Sequence, residues 1–195
     1  MTEQKFYLKN MVSKSCIKLI ELYFQSIEGV IIKSVFLGNV VLSYDKSIVS
    51  IEKLTNSFKE IGFEVIEDDD AILTEKIKVA SIELIIFSSN NNSIIRNSDY
   101  ISDRVQEPYD KISKVFSRMT GTTLEKFIIA LKIEKVKDLV LEDKLTLSEI
   151  SYQLDYSSVQ YLSKQFKQTT GYTFSEFRNL ENPPRIHVDE ILRAQ

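Results

Sequence analysis

Ile112-Ser-Lys-Val-Phe-Ser-Arg-Met-Thr-Gly-Thr-Thr-Leu-Glu-Lys-Phe127 returns fifty residues later as Leu162-Ser-Lys-Gln-Phe-Lys-Gln-Thr-Thr-Gly-Tyr-Thr-Phe-Ser-Glu-Phe177. Identical pairs are Ser113/Ser163, Lys114/Lys164, Phe116/Phe166, Thr120/Thr170, Gly121/Gly171, Thr123/Thr173 and Phe127/Phe177. Upstream, Ile101-Ser102-x-x-Val105 corresponds to Ile150-Ser151-x-x-Leu154, and a short polar break follows each. Each copy therefore reads as a helix, a tight turn, a second helix and then Thr-Gly. A bihelical unit of this size, repeated, is the pattern of two helix-turn-helix units. Their recognition helices are expected to be held by the helix between them, roughly 123–141.

The second helix of each copy carries a surface that suits nucleic acid. Pro108–Arg118 sets Lys111, Lys114 and Arg118 against Asp110, and Ser157–Gln168 has Lys164 and Lys167 with no acid. Both are net +2. Lysine attracts phosphate, whereas glutamine and serine can read base edges in the major groove. Pro108 is expected in the first turn of one helix and Ser157 as the cap of the other. Ile101 to Ile112 is 11 residues and Ile150 to Leu162 is 12, which places one extra residue at the start of the second recognition helix. Three capping boxes are predicted, Thr122 with Glu125, Thr146 with Glu149 and Thr173 with Glu176.

Residues 1–70 keep a different rhythm. Lys5–Lys9 predicts a strand, and Cys16–Gln25 has helical spacing through Ile17, Ile20 and Phe24. Val30–Leu37 and Val40–Tyr44 flank the turn pair Gly38-Asn39 and read as a hairpin. Ser50 precedes an amphipathic helix through Leu54, Phe58 and Ile61, ended by Gly62, and Phe63–Ile66 returns as a strand. The order βαββαβ is the ferredoxin-like unit. The predicted fold class is thus an α+β ferredoxin-like domain followed by an all-α domain with two helix-turn-helix units and a linker helix. The domains expected are 1–70, a connecting helix and polar linker over 71–97, the helical domain over 98–180 and a tail over 181–195. The helix is expected over 71–87 and the linker chemistry at 88–93.

Residues 98–180 resemble the AraC-type DNA-binding domain. The resemblance rests on Leu147-Ser-Glu-Ile-Ser-Tyr-Gln-Leu-Asp-Tyr156-Ser157-Ser158, Tyr161-Leu-Ser-Lys-Gln-Phe-Lys167, Thr170-Gly171 and Phe177-Arg178, with a linker helix at Lys132–Leu139. It implies a sequence-specific transcriptional regulator and a double-stranded DNA partner. The two recognition helices would then lie in successive major grooves, about 34 Å apart. The DNA-facing residues it implies are Tyr109, Asp110, Lys111, Ser113 and Lys114, then Ser158, Gln160, Tyr161, Lys164 and Lys167. The chain departs from the family where turn glycines become Gln106 and Asp155 and recognition-helix arginines become Lys114 and Lys164. Lysine keeps phosphate attraction but loses bidentate guanine recognition.

Residues 3–67 resemble the heavy-metal-associated domain, through Gly29-Val30, Val41–Asp45 and Ile61-Gly62-Phe63. That family's Met-x-Cys-x-x-Cys loop is Met11-Val-Ser13-Lys-Ser-Cys16 here, so Ser13 replaces one thiolate. The resemblance implies a soft monovalent metal such as Cu(I) at Cys16, with Met11 or with Cys16 of a second chain. Cys16 also falls near a helix start, where the helix dipole favours a reactive thiol. The other reading leaves Cys16 inert, no metal bound, and the fold a dimerisation or sensing scaffold.

Composition bounds these readings. In 195 residues, 43% are hydrophobic and 27% charged, which is globular, and a net charge of −3 excludes a uniformly basic coat for nucleic acid. The deficit sits in 1–70, net −3, ending in Glu67-Asp68-Asp69-Asp70, which reads as a solvated run; 71–97 is +1 and 98–195 is −1. One cysteine excludes an intramolecular disulfide. No signal-like or membrane-length apolar run occurs, so a soluble cytoplasmic protein without a membrane partner is expected. The single histidine, His187, lies after Pro183-Pro184 with no dyad or ligand partner, and no phosphate loop or nucleophile elbow is present. No enzyme is expected. Ile186, Val188, Ile191 and Leu192 could pack the tail onto the helices or a partner. The competing function is a metal-handling or protein-interaction module that no longer binds DNA.

Overall fold

The computed structural model describes residues 1–87 and 97–191. The expected polar linker at 88–93 and Leu192 lie outside the described residues. The chain divides into two compact units, Met1–Val79 and Ala80–Gln195. Among the described residues no helix is long and apolar enough to cross a membrane.

The N-terminal unit holds β1 (Thr2–Lys9), α1 (Lys14–Phe24), β2 (Val30–Phe36), β3 (Asn39–Tyr44), α2 (Ile51–Glu60) and β4 (Glu64–Ile66). The sheet order is β2-β3-β1-β4 with every neighbour antiparallel, the ferredoxin-like arrangement expected for βαββαβ. The period-2 pattern decides which side of β1 is inside: Phe6 and Leu8 are buried, Lys5 and Lys9 exposed. α1 turns Ile20 and Phe24 inward, and α2 turns Leu54 and Phe58 inward. Their rings meet at the centre, Phe58 lying 4.5 Å from Phe24 and 5.2 Å from Phe6 between centroids. Ser50 caps α2 by accepting from the Lys53 N–H at 3.2 Å. The hairpin turns at Gly38, whose φ of +80° a side chain would strain. A bulge between Ile32 and Ser34 shifts the β2–β3 register.

α3 (Asp69–Ile82) starts two residues earlier than the 71 expected from sequence. The Asp68 carboxylate accepts from the Ala71 N–H at 2.8 Å, so part of the acidic run caps a helix whose dipole favours negative charge there. The remaining turn, Glu83–Phe87, is π-helical rather than α. On α3, Lys78 and Glu75 form a buried ion pair at 2.6 Å. Asn10, left-handed at φ +64°, completes it: its N–H donates to Glu75 at 3.1 Å and its side-chain oxygen accepts from Lys78 at 3.5 Å. Buried charges persist when each is paired in this way.

The C-terminal unit continues with α4 (Asn97–Val105), α5 (Tyr109–Thr120), α6 (Leu124–Glu142), α7 (Leu147–Gln153), α8 (Val159–Thr170) and α9 (Phe174–Arg178). α6 is buried on most sides, from Leu124 to Val140. Ile133, Val136, Leu139 and Val140 of α6 join Ile150, Leu154, Leu162, Phe166, Phe174 and Phe177 in one core. The tail docks on α6, where the Ile186 N–H donates to Glu134 at 3.2 Å and Arg185 pairs with Asp138. Ile191 is buried, while Ile186 stays exposed.

Phe58→Ala should empty the centre of the N-terminal core and cost about 3–5 kcal/mol of that unit's stability. Urea unfolding followed by circular dichroism measures the loss.

Candidate nucleic-acid interface

Two bihelical units, α4–α5 and α7–α8, are built by the same bonds. Each first helix ends in a left-handed residue, Gln106 at φ +62° and Asp155 at +54°, where glycine would be the ordinary choice. In both, a backbone N–H then reaches five residues back: Glu107 to the Ser102 carbonyl at 3.3 Å, Tyr156 to the Ser151 carbonyl at 2.9 Å. Gln106 is further held by its side-chain amide, which donates to the Asp103 carbonyl at 2.5 Å. Three residues lead from Val105 to Pro108, and four from Leu154 to Ser158, so the extra residue sits in the second turn.

The Thr-Gly motif closes each second helix identically. Thr120 and Thr170 each donate to the carbonyl four residues back, Phe116 and Phe166, at 2.7 Å. Each hydroxyl also accepts from the N–H two residues on, Thr122 at 3.4 Å and Tyr172 at 3.2 Å. Gly121 and Gly171 end the helices at φ +75° and +82°. This pairing corrects the first capping box. Thr122 takes the place of Tyr172 in the turn, and Thr123 caps α6 by accepting from the Lys126 N–H at 3.2 Å. Because the third residue is then a lysine, α6 has the cap without the full box. Thr146/Glu149 and Thr173/Glu176 do form full boxes, with each carboxylate 2.7 Å from the cap N–H. Those backbone hydrogen bonds hold both glutamates below the ordinary carboxylate range.

The recognition helices are anchored alike. Phe116 lies 5.4 Å from Phe127, and Phe166 lies 5.4 Å from Phe177. All four are fully buried. Two helix starts differ from expectation. Pro108 is the cap of α5 rather than a first-turn residue, and Ser158, not Ser157, caps α8 by accepting from the Tyr161 N–H at 3.1 Å.

Of the residues singled out for DNA on α5, Asp110, Lys111 and Lys114 are exposed, and Tyr109 and Ser113 half-buried. Tyr109 donates to Glu125 at 2.8 Å, and burial with that hydrogen bond pushes its hydroxyl up to about 12. Lys111 pairs with Glu107 at 2.7 Å. On α8, Gln160, Tyr161, Lys164 and Lys167 are exposed, and Ser158 is occupied as the cap. Sequence reasoning missed a brace behind α8. Tyr156 donates to Gln165 at 2.8 Å, lies with its ring 6.2 Å from that of Tyr161 at a tilt of 47°, and receives the Lys132 ammonium 5.3 Å over its ring. Burial raises the Tyr156 hydroxyl and lowers Lys132. The only sequence signal for this brace is the extra residue in the second turn.

In the N-terminal unit, Cys16 lies in the first turn of α1, with its sulfur 3.3 Å from the Ser13 hydroxyl. Met11 is buried in the core, not turned toward a loop ligand. Among the described residues no group of three or more His, Cys, Asp or Glu gathers to hold a metal ion. One thiol beside a serine hydroxyl is a poor donor set for a soft metal, so a single chain does not fit such a site. His187 lies exposed at the start of the short turn Val188–Glu190.

Residues 102–180 match the family model described as "Helix-turn-helix domain". The match runs from within α4 through α9, the stretch that holds both bihelical units. Over 84 residues the chain is 31% identical to the xylose operon regulatory protein of Escherichia coli (strain K12), covering 43% of this chain and 21% of that protein. Over 93 residues it is 27% identical to an uncharacterized HTH-type transcriptional regulator in the cgkA 5′ region of Pseudoalteromonas carrageenovora, covering 48% of this chain and 55% of that one. The chain therefore spans between about a fifth and about half the length of these relatives. The crystal structure of transcriptional regulator CdpR from Pseudomonas aeruginosa overlays with a TM-score of 0.45 at 11% identity, over 90% of this chain and 55% of that one.

Tyr109 is protonated below its raised value, so its bond to Glu125 contributes stability below about pH 10 and loses it as pH climbs toward 12. The difference between wild-type and Tyr109→Phe absorbance titrations at alkaline pH should have its midpoint near 12. A midpoint at the ordinary tyrosine value, about 10, would contradict the contact.

Proposed function

We propose that this protein is a sequence-specific DNA-binding transcriptional regulator. The observation that carries the reading is the pair of equivalent helix-turn-helix units anchored to α6, each presenting exposed lysine on its second helix. Asp110, Lys111, Ser113 and Lys114, then Gln160, Tyr161, Lys164 and Lys167, face the DNA in this reading. Tyr109 and Ser158 serve it by fixing the starts of α5 and α8, through Glu125 and the Tyr161 N–H. Lysine supplies phosphate attraction, and the exposed amide of Gln160 supplies base contact. The relatives named as regulators support this reading.

The N-terminal unit resembles the heavy-metal-associated domain in element order and turns, and in this reading it senses a signal or joins two chains. With one thiol per chain it acts as a scaffold without a resident metal. The competing reading, a metal-handling module that no longer binds DNA, lacks a donor set in a single chain.

Fluorescence anisotropy with duplex from upstream of the protein's own gene tests the regulator. Binding should weaken steeply with salt and resist competition by scrambled duplex. Lys164→Ala should weaken binding to all sequences and lower the salt slope by about 1. Absence of binding at low salt sinks the reading. Cu(I) titration under reducing conditions tests the scaffold: native and Cys16→Ala protein should take up equal amounts. One ion per two chains, lost in Cys16→Ala, would instead assign a site shared by two Cys16 thiolates.

A further inference from the structure

Asp110 and Gln160 are fifty residues apart and occupy one structural position. Each is the second residue of its recognition helix, since α5 begins at Tyr109 and α8 at Val159. The extra residue of the second turn is absorbed before Ser158, so the two helices are in register from their first residues onward. Both side chains are exposed. Among the described residues neither makes a side-chain hydrogen bond or ion pair. Lys111, next to Asp110, is already held by Glu107 at 2.7 Å. The Asp110 carboxylate is therefore exposed at the start of α5.

The chemistry at this one position differs between the copies. A carboxylate only accepts, and in the major groove cytosine N4 offers a donor, while guanine presents only acceptors. A glutamine amide both donates and accepts, which matches the N6 and N7 edge of adenine. Near phosphate the carboxylate is repelled, so Asp110 lowers sequence-independent attraction at α5. On α8 the first turn holds no acid, and Lys164 and Lys167 are exposed. Resting on the DNA-binding reading, we infer that Asp110 selects cytosine beneath α5 and Gln160 selects adenine beneath α8, making the two half-sites unequal.

The test is selection of the full chain on a pool of randomised duplexes long enough for two half-sites one helical turn apart. Wild-type protein should enrich duplexes with cytosine in one half-site and adenine at the matching place in the other. Asp110→Gln should convert the cytosine to adenine, change preference at that base by roughly 5- to 100-fold, and tighten binding to unselected duplex. Its melting curve should stay close to wild type, since Asp110 is exposed and, among the described residues, its side chain makes no hydrogen bond or ion pair. An unchanged preferred sequence in Asp110→Gln overturns this inference alone. No enrichment and no salt-sensitive binding by wild type overturns it together with the regulator reading.

Discussion

The C-terminal unit depends on one constraint, the burial of a phenylalanine pair in each copy. Phe116 meets Phe127 on α6 itself, and Phe166 meets Phe177 beside the far half of α6. Each is fully buried, and exposing one would cost about 1.5–3 kcal/mol, which holds each recognition helix to the helix that joins them. α6 has 19 residues and is therefore about 28 Å long at 1.5 Å per residue. That is commensurate with the roughly 34 Å between adjacent major grooves on one face of a duplex. A linker of ordinary loop would leave the two surfaces independent. A buried helix couples them.

On this shared frame, what repeats and what diverges follow different rules. The repeated residues satisfy backbone groups or fill the core: threonine on the carbonyl four back, glycine in the left-handed region, phenylalanine inside. Their geometry admits few substitutes. The less buried positions carry no such demand and differ, aspartate against glutamine at the exposed 110 and 160, and tyrosine against valine at the half-buried 109 and 159. Tyr109 uses that freedom to bond Glu125, whereas the second copy braces itself through Tyr156, Gln165 and Lys132. Equivalent folds thus hold their recognition helices by different polar contacts.

Much of the frame was legible because local rules govern it. Alternation in β1, the Ser50 cap and the Gly38 turn all act within a few residues, and the sheet followed. The errors were also local but competitive. Thr122 and Thr123 both precede an apolar run, and the turn hydrogen bond from Thr122 to Thr120 decides which one caps. Ser157 and Ser158 compete in the same way, and the longer second turn selects Ser158. Met11 was offered as a ligand by its place in the loop, yet an apolar thioether gains more by entering the core.

Chain order alone established two architectures, one alternating and one duplicated, because hydrophobic period and a fifty-residue repeat are properties of the chain read in line. It also placed the lysines of both recognition helices by their spacing from buried anchors. Folding in three dimensions settled what those side chains are free to do. Lys111 is taken by Glu107, and Tyr109 by Glu125, which lies sixteen residues away. Cys16 meets a serine rather than a second thiol, and Lys132 is drawn over a tyrosine ring in the next copy. Such partners are chosen by packing between distant segments, and no period in the sequence records them.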